Sequence, residues 1–552
     1  MHCNWRSKLS LILAVLLMTA ALGSTALGES IGAIIENQSS LEIPVGESVS
    51  QDTDLVAAVT VDFTTMDPVD TSDTLSGGIQ RLIMDGLFGF DDDMALVNML
   101  ATGYEANDDA TEYTIFLRQG IAFTDGTPWN ADALMANLAK WDDKSLALKR
   151  TALLSDVLDS WEGVDEYTVK IRLAQSFGSF INTLAHPATV VMSPKQIEQG
   201  VDVAAEAPIG TGQYTFVEWI RGDHLTLALN KDWWGYDPEQ TDGTPFAAPD
   251  AGFKTITFKP VPEGATRVAM IQSGDAQLIW TVPSETLDML RNDSAVTLGI
   301  RKSLVAYYIF LNTQKAPYSD KRVRQAINYA IDKNAYLAVV QNGSGSLPTS
   351  IIGPDTQYAT QHPMYEYDVE KSKALLAEAG YPDGFKASII ASNSSANVKA
   401  GEFLKQQLGE VGIELDLQLM ESAIVNSKIQ DVDVPGAEAE VEMYLSGWSS
   451  STGDSDWAIR PLFDSASIPP NNFNISYYSN PEVDALLKEG LSTADPEVRA
   501  AAYAKVQDIL WDDSPVVTTY IGHATWATSA KLINVSIYPD GAINLRAGRL
   551  AK

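Results

Sequence analysis

The amino-acid sequence predicts an α/β protein built from more than one domain. Short runs rich in β-branched and aromatic residues alternate with amphipathic helical patterns along most of the chain. At 552 residues the chain is longer than a typical domain of roughly 100–200 residues, so two or three domains are expected. No repeat with a period of about 20–50 residues is evident, which argues against a solenoid or a propeller.

The first 26 residues are predicted to be a secretory signal peptide. Arg6 and Lys8 precede an apolar run over residues 9–22, and small residues then allow cleavage after Ala26 or Gly28. A membrane anchor is the weaker interpretation, because the apolar run is shorter than the ~20 residues that span a bilayer.

The only cysteine, Cys3, lies before this apolar run rather than at its end, so a lipid-modified cysteine is not encoded. The exported chain is therefore expected to be soluble and to carry neither a thiol nor a disulfide. Residues 27–54 contain many polar side chains without a sustained period, and we interpret them as a flexible leader.

The chain is strongly acidic, with 38 Lys and Arg against 72 Asp and Glu and a formal charge of −34. Loss of Arg6 and Lys8 with the signal peptide would make the charge −36. Long-range repulsion then opposes binding to nucleic acids and to anionic membranes. An anionic ligand would need cationic side chains concentrated in its pocket. A salt-rich habitat would screen the self-repulsion of such a chain.

The N-terminal half is predicted to alternate strands with turns and helices. "DLVAAVTVDF" predicts a strand over residues 55–63. The pattern over residues 75–87 has helical spacing and follows a cap at Asp73 or Thr74. "YTIFLRQGIAFTDGTPWNADALMANLAKW" is typical of strand, turn and helix, with Asn130 as the cap. Further strands are predicted in "EYTVKIRLAQ", "APIGTGQYTFVEWI" and "FKTITFKPVP".

After Arg301 the pattern changes to longer helices. They are predicted in "DKRVRQAINYAIDKNAYLAVV", "DVEKSKALLAEAG" and "NVKAGEFLKQQLGEVG".

The sequence carries no recognisable catalytic signature. It contains no HExxH, CxxC, G-x-S-x-G or Walker motif, and its five histidines have no metal-ligand spacing. Acidic pairs are frequent, but among 72 carboxylates a pair most simply belongs to a solvated face. Residue content leaves hydrolysis by two carboxylates open, although nothing singles out a pair. An exported α/β protein of this kind favours a binding function.

Several segments resemble the extracytoplasmic solute-binding proteins of peptide and nickel ABC importers, known as family 5. They occur in the order of the family, over residues 55 to about 545. "FTTMDPVDTSDTLS", "FINTLAHPATVVMSP" and "GWSSSTGDSDWAIRPLF" look most like the glutathione-binding members. The segments that carry the family resemblance are "YTIFLRQGIAFTDGTPWNADAL", "APIGTGQYTF", "NKDWWG", "AMIQSGDAQLI", "DKRVRQAINYAIDK", "YDVEKSKALLAEAGYPDGF" and "YYSNPEVDALLKEG".

The resemblance implies a two-lobed periplasmic-binding-protein fold of the large peptide-binding class, which encloses its ligand when the lobes close. Lobe I would comprise residues 55–303 and 520–552, with an inserted subdomain at about 66–205. Lobe II would comprise residues 304–519. The two crossovers between the lobes would lie near "SLVAYYIFLN" and "VVTTYIG".

The segment "GWSSSTGDSDW", residues 447–457, would lie at the cleft in lobe II. Its Ser, Thr and Asp side chains favour a loop, whereas Trp448 and Trp457 carry apolar faces that loops rarely expose. Peptide-binding members have there an aspartate that pairs with the ligand's α-amino group, and the matching position in this chain is Ser451. Loss of that carboxylate argues against a general oligopeptide receptor, because a buried ammonium without a charged partner is costly.

The resemblance also implies roles for individual side chains around a γ-glutamyl ligand. Asp454 or Asp456 would bind its amine, unless both only bond the loop backbone. Arg150 matches a ligand-facing arginine of nickel-binding members and would hold a carboxylate, with a surface helix arginine as the alternative. The predicted ligand-binding residues are Thr65, Asp73, Thr74, Arg150, His186, Tyr307, Trp448, Ser449, Ser450, Ser451, Thr452, Asp454, Asp456 and Trp457, and no metal ligand is predicted.

Three of these positions have a plain structural alternative. Asp73 and Thr74 could simply cap a helix, and His186 could be a core histidine. Glutathione-type members have an arginine where this chain has Tyr307, which allows a less anionic peptide as ligand.

We predict a monomeric periplasmic protein, without cofactor, that delivers glutathione or a related short peptide to the membrane permease of an ABC importer. Alternatives within the family are a di- or oligopeptide receptor and a nickel or haem carrier. Ni²⁺ needs donors such as imidazole, and only His186 lies near the predicted cleft. Alternatives from other classes are a secreted hydrolase, which would need a nucleophile with a base or a conspicuous acid pair, and an exported folding helper.

Overall fold

The structure is a computed structural model, and it describes residues 34–36, 51–71, 73–241, 252–429 and 434–550. The predicted signal peptide and most of the predicted leader lie outside these residues. Within the described ranges, no helix is both long enough and apolar enough to cross a membrane.

The fold is mixed α/β, as the alternation of strand and helix patterns predicts. The strands of the described residues are, in chain order, β1 Ile34–Glu36, β2 Asp54–Val59, β3 Phe88–Phe90, β4 Leu96–Asn98, β5 Ala101–Ala106, β6 Glu112–Leu117, β7 Leu158–Asp165, β8 Thr168–Leu173, β9 Tyr214–Ile220, β10 His224–Leu229, β11 Thr255–Pro260, β12 Leu278–Trp280, β13 Val296–Leu311, β14 Phe385–Ser392, β15 Ile413–Met420, β16 Met443–Trp448, β17 Val516–Ser529, β18 Leu532–Ile533, β19 Ser536–Ile537, β20 Ile543–Asn544 and β21 Arg549–Leu550.

Helices lie between most of these strands. Those of the described residues are α1 Thr74–Ile83, α2 Ala131–Asp142, α3 Ala152–Ser155, α4 Phe180–Thr183, α5 Pro194–Ile197, α6 Val201–Glu206, α7 Gly264–Ser273, α8 Leu287–Arg291, α9 Lys321–Tyr329, α10 Lys333–Val339, α11 Val369–Glu378, α12 Ser395–Gly409, α13 Ser422–Ile429, α14 Ser455–Phe463, α15 Pro481–Leu491 and α16 Pro496–Asp513.

One mixed sheet contains eleven of the described strands, in the order β15-β14-β16-β13-β17-β12-β2-β11-β10-β9, with β1 paired to β13. The two longest strands, β13 and β17, are antiparallel at its centre. Their register shifts between Lys302 and Ala306 and again between Tyr307 and Tyr308. Both predicted crossovers lie within these two strands. A separate antiparallel sheet, β5-β6-β8-β7, lies in the part of the chain predicted to form the inserted subdomain.

Buried apolar side chains form distinct cores in the two parts of the large sheet. The core around β2, β10 and β11 includes Leu55, Leu225 and Phe258. The core around β14, β15 and α12 includes Leu404 and Ile413. Each part therefore buries its own apolar surface, as expected of two lobes.

Side-chain caps explain where helices α1 and α2 begin. Asp73 accepts a hydrogen bond from the Ser76 amide (2.8 Å) at the start of α1. Asn130 accepts one from the Ala133 amide (3.1 Å) at the start of α2. Both caps agree with the sequence pattern, because a short side chain with an acceptor oxygen satisfies an otherwise unbonded amide of the first turn.

The strand predicted over residues 55–63 is shorter than expected and ends at Val59. Beyond it, the Asp62 carboxylate accepts a hydrogen bond from the indole of Trp219 (3.1 Å). The chain thus leaves the sheet after Val59, and the Asp62 side chain bonds to β9.

The prediction of one continuous helix in "DKRVRQAINYAIDKNAYLAVV" is wrong. The segment forms two helices, α9 and α10, because Asp332 accepts a hydrogen bond from the Ala335 amide (3.0 Å) and starts the second one.

Part of the predicted leader is ordered in a strand. Ile34–Glu36 pairs antiparallel with residues 298–300 of β13, and the Glu36 carboxylate bonds Arg291 at 2.6 Å. Three residues are too few to show the alternating hydrophobic pattern of a strand, so the sequence does not predict this strand. It forms because residues 298–300 of β13 offer backbone groups to pair with.

Candidate ligand-binding cleft

A cavity of about 760 Å³, here called the main cavity, lies between two walls from distant parts of the chain. One wall includes Thr74, Lys149 and Arg150, and the other includes Trp448 and Trp457. These walls come from the two predicted lobes. The volume falls within the roughly 300–1,000 Å³ of small-molecule sites.

Two smaller cavities adjoin the main cavity. The bridging cavity, of about 70 Å³, shares Thr74, Arg150 and Ser451 with it. The hinge-side cavity, of about 310 Å³, is named for the predicted crossovers in β13 and β17, whose residues line it. It shares Thr74 and Asp540 with the bridging cavity. Thr74 lines all three cavities, so they lie next to one another.

The segment "GWSSSTGDSDW" is a loop only at residues 449–454. Trp448 is the last residue of β16, and Trp457 is the third residue of α14. The Trp448 indole donates a hydrogen bond to the Trp457 carbonyl (3.0 Å), and the ring centroids are 6.3 Å apart. The two tryptophans therefore line the main cavity from a strand and a helix, rather than from a loop as their polar neighbours predict.

Asp454 organises this loop from inside the protein. Its carboxylate is fully buried, accepts two hydrogen bonds from the Arg499 guanidinium (2.8 and 2.9 Å) and caps α14 through the Asp456 amide (2.8 Å). The Ser450 hydroxyl donates to the Asp454 carbonyl (2.7 Å). Neither Asp454 nor Ser450 is among the residues that line the three cavities. Both side chains thus bond within the protein, and Asp454 bonds the Arg499 side chain as well as the backbone of the segment.

Asp456 faces the main cavity together with a cation that the sequence prediction omits. Its carboxylate accepts two hydrogen bonds from Arg460 (2.9 and 2.8 Å) and one from the Tyr503 hydroxyl (3.3 Å). The Asp456 carboxylate raises the pKa of the Arg460 guanidinium. Arg460 also lines the main cavity. The four-residue spacing of "DWAIR" on a helix is the sequence signal that could have found this pair.

The remaining hydroxyls of the loop divide between the cavities. Ser449 and Ser451 line both the main and the bridging cavity, and Thr452 lines the main cavity. The Thr452 hydroxyl also accepts a hydrogen bond from the Asp454 amide (3.4 Å). Three of the four predicted hydroxyls therefore face the cleft.

Arg150 lies in a turn before α3, and not on a helix. Its amide donates to the Val69 carbonyl (2.9 Å), and its Nε donates to the Thr71 carbonyl (3.3 Å). That segment is held in turn by a buried ion pair between Lys140 and Asp67 (2.7 Å). Burial lowers the pKa of the Arg150 guanidinium. The half-buried side chain lines the main and bridging cavities.

His186 is a buried wall of the bridging cavity. Its Nδ1 accepts a hydrogen bond from the Ala188 amide (3.0 Å), which requires an unprotonated nitrogen. Burial, with smaller contributions from Arg150 and Arg81, places the pKa of His186 well below its ordinary value. The imidazole is therefore neutral near pH 7.

The other predicted residues of the first wall have mixed positions. Asp73 lines the bridging cavity while capping α1 and accepting from the Thr64 hydroxyl (2.9 Å). Thr65 does not line the three cavities, and its hydroxyl accepts a hydrogen bond from the Asp67 amide (3.1 Å).

Tyr307 lies in the hinge-side cavity rather than the main one. Its ring stacks on Tyr520 of the neighbouring strand, with centroids 4.4 Å apart and planes at 3°. Burial raises the pKa of Tyr307, so the phenol is neutral near pH 7.

The main cavity includes further polar and aromatic residues that sequence reasoning missed. They come from loops and helix ends whose local patterns are unremarkable, so only the tertiary structure brings them together. They are Asp156, Gln175, Ser179, Thr183, Asn471, Asn472 and Phe473.

The two walls touch each other beside the cleft. The Gly178 amide donates to the Leu491 carbonyl (2.8 Å), and the Asn182 side chain donates to the Thr452 carbonyl (3.3 Å). A Cβ on Gly178 would lie 1.9 Å from the Thr493 carbonyl oxygen, so only glycine allows this approach. The geometry is that of a closed cleft.

Comparisons with known proteins agree with this architecture. The family model for bacterial extracellular solute-binding proteins, family 5 Middle, matches residues 95–469. The glutathione-binding protein GsiB of Salmonella typhi is 38% identical over 490 residues, covering 88% of this chain and 92% of that protein. GsiB of Escherichia coli strain K12 is 37% identical over 489 residues, with the same coverage.

Solved structures give the same result. The structure of HbpA2 from Haemophilus parasuis has a TM-score of 0.78 and 25% identity, and the match covers 91% of this chain and 100% of that chain. The predicted two-lobed periplasmic-binding-protein fold is confirmed. The chain belongs to the bacterial extracellular solute-binding proteins of family 5.

Proposed function

We propose that this protein is the periplasmic binding component of an ABC importer and that it captures glutathione or a related short peptide. The observation that carries the proposal is the main cavity, in which cations, hydroxyls and indoles converge from two walls. The relatives named as glutathione-binding proteins support this choice of ligand. Its role is binding rather than catalysis. It carries the bound ligand to a membrane permease and releases it there.

The charges of the main cavity suit a ligand with carboxylates at its ends. Arg150 and Lys149 stand on one wall and Arg460 on the other, so carboxylates at two ends of a ligand could each meet a cation. A guanidinium binds a carboxylate through two parallel hydrogen bonds, and a closed cleft strengthens the pair by excluding water.

The ligand's ammonium group needs an anionic partner. Asp456 and Asp156 are the carboxylates among the residues that line the main cavity. Asp456 already accepts from Arg460 and Tyr503, whereas Asp156 is paired with the exposed Lys144 at 2.9 Å. An exposed pair is weak, so Asp156 is the more easily recruited partner.

The proposed ligand set keeps most of the predicted residues. Thr65, Ser450 and Asp454 leave it because their side chains bond within the protein and do not line the cleft. The residues that stay are Asp73, Thr74, Arg150, His186, Trp448, Ser449, Ser451, Thr452, Asp456 and Trp457, and Asp156 and Arg460 join them. Tyr307 stays as a residue of the hinge-side cavity alone.

Isothermal titration of the purified protein with reduced glutathione, Ala-Ala and Ala-Ala-Ala tests the proposal. We expect saturable binding of glutathione at least tenfold tighter than that of either peptide. Mass spectrometry should recover the glutathione unchanged after prolonged incubation. Tight binding of Ala-Ala without measurable heat from glutathione would reject the ligand while leaving the family intact.

A further inference from the structure

The hinge-side cavity differs in chemistry from the main cavity. Cationic and anionic side chains converge in the main cavity, as described above. The hinge-side cavity is instead lined by Leu75, Trp280, Val305, Tyr307 and Ala524, together with backbone and hydroxyl groups. The main cavity alone is large enough for the charged part of a tripeptide, and the hinge-side cavity adds about 310 Å³ to it.

Besides the neutral phenol of Tyr307, two titratable groups line this cavity, and both already have partners within the protein. Both oxygens of Asp540 are engaged, one by the Arg81 guanidinium (2.9 Å) and one by the Ala542 amide (2.8 Å). His523 shares a hydrogen bond with the Ser346 hydroxyl (2.8 Å). Burial lowers the pKa of His523 to about 4, so its ring is neutral at pH 7.

The walls of the cavity combine strand residues with loop residues such as Thr281 and Gly541. Val305 and Tyr307 belong to β13, and Ala524 belongs to β17, the two central strands of the large sheet. The stacked pair of Tyr307 and Tyr520 fixes one aromatic surface, and the nearly buried Trp280 forms another. Ser and Thr side chains share the lining, and the aromatic surfaces of Trp280 and Tyr307 between them can hold a neutral apolar or aromatic substituent.

The cavities adjoin one another in a fixed order. The bridging cavity touches the main cavity at Arg150 and the hinge-side cavity at Asp540, with Thr74 common to all three. Its small volume, about 70 Å³, admits a connecting chain of a few atoms but not a second bulky group.

We propose that the hinge-side cavity is a subsite for a neutral apolar or aromatic group carried by a ligand whose charged part occupies the main cavity. The inference rests on the proposed function and extends its ligand class. Such a group could be a substituent on the sulfur of glutathione or an apolar fourth residue of a peptide.

Titrations with matched ligand pairs distinguish these two sources. The pairs are reduced glutathione with S-benzylglutathione, and Ala-Ala-Ala with Ala-Ala-Ala-Phe. We expect the added group to strengthen binding at least tenfold in one pair or in both. The pair that shows the gain identifies the source of the group, and absence of a gain in both pairs overturns the inference.

A variant that fills the subsite ties any gain to this cavity. Ala524→Leu adds bulk to the hinge-side cavity without touching the cationic wall. The tenfold gain should vanish, while the affinity for the unsubstituted ligand stays within twofold of wild type. Ala374→Leu, which adds the same atoms on the exposed face of α11, should preserve the gain. A gain that survives Ala524→Leu overturns the inference.

Two further outcomes are informative. If Ala524→Leu lowers the melting temperature by more than a few degrees, Val305→Phe fills the same cavity from β13 and replaces it in the test. If reduced glutathione does not bind but Ala-Ala-Ala-Phe binds better than Ala-Ala-Ala, the proposed ligand fails and the subsite is supported.

Discussion

Arg150 is the side chain on which the proposed recognition of a carboxylate depends most. Its position follows from two backbone bonds, to Val69 and Thr71, and these hold it half-buried where the main and bridging cavities meet. A charged group fixed before the ligand arrives loses little further freedom on binding. Because Asp and Glu far outnumber Lys and Arg in the chain, cations gathered at one cavity are an exception to its overall negative charge.

Arg150→Ala is expected to weaken glutathione binding by about 2–5 kcal/mol, because it removes one partner of a desolvated charge pair. Arg150→Lys should recover only part of the loss, since an ammonium cannot form two parallel bonds. Titration calorimetry measures both. The control is Arg322→Ala, which removes an exposed arginine paired with Asp320 and should leave the affinity unchanged. A near-neutral Arg150→Ala variant would move the search to Lys149 and Arg460.

His186 should contribute stability that depends on pH. Its pKa is depressed in the folded protein, so between that pKa and about 6.5 the unfolded chain binds the proton more readily. The contribution is complete above pH 6.5 and is lost as the pH falls below it. His186→Asn keeps an acceptor for the Ala188 amide but cannot titrate. Between pH 7 and 5.5, the free energy of unfolding measured with urea should therefore fall by about 1 kcal/mol less in this variant than in wild type.

His224 provides the control for this measurement. Hydrogen bonds from His224 to Asp223 and Glu218 raise its pKa, so its contribution is present at low pH and is lost as the pH rises. His224→Asn should not reduce the acid-side loss. If His186→Asn and wild type lose stability equally on acidification, a neutral buried His186 is excluded.

At the scale of elements, the cleft depends on the contact between the segment before α4 and the end of α15. Gly178 and Leu491 share a backbone hydrogen bond, and the neighbouring Thr493 carbonyl leaves no room for a side chain at position 178. The loop between β16 and α14 is held separately, by the buried pair of Asp454 and Arg499. Closure and loop shape therefore have different structural origins.

Gly178→Ala is expected to weaken ligand binding at least tenfold, because its Cβ would press on the Thr493 carbonyl only when the walls meet. The melting temperature of the ligand-free variant should fall by no more than a few degrees. Small-angle scattering should show that added ligand compacts wild type more than the variant. Gly103→Ala is the matched control, since a Cβ there meets no atom within 4 Å. Equal compaction and affinity in both variants would rule out this role for Gly178.

At the scale of the whole molecule, the formal charge of −34 is spread over a surface rich in carboxylates. Many ion pairs are exposed, such as Lys144 with Asp156, and pairs of this kind add little stability. Net repulsion among the excess carboxylates therefore opposes the compact state.

The melting temperature of the ligand-free protein should rise by a few degrees when NaCl is increased from about 10 to 300 mM, because salt screens this repulsion. Differential scanning calorimetry measures the change, and a neutral osmolyte at equal osmolality serves as control. A melting temperature that falls or stays constant with NaCl would show that favourable surface pairs outweigh the net charge.

The sequence by itself determined the α/β class, the caps at Asp73 and Asn130, and the family. These depend on local patterns, because a cap or an amphipathic period involves residues a few positions apart. It also singled out "GWSSSTGDSDW", and three of its five hydroxyls face the cleft.

Only the tertiary structure decided which polar groups are available to a ligand. Asp454 and Asp456 are alike in sequence, yet one is sequestered by Arg499 and the other faces the main cavity. The hinge-side cavity likewise exists only where β13 and β17 meet the start of α1. The reason is that the pairing joins residues 45 positions apart and the enclosure joins residues hundreds of positions apart, and their proximity is set by the packing of whole elements and not by any local preference.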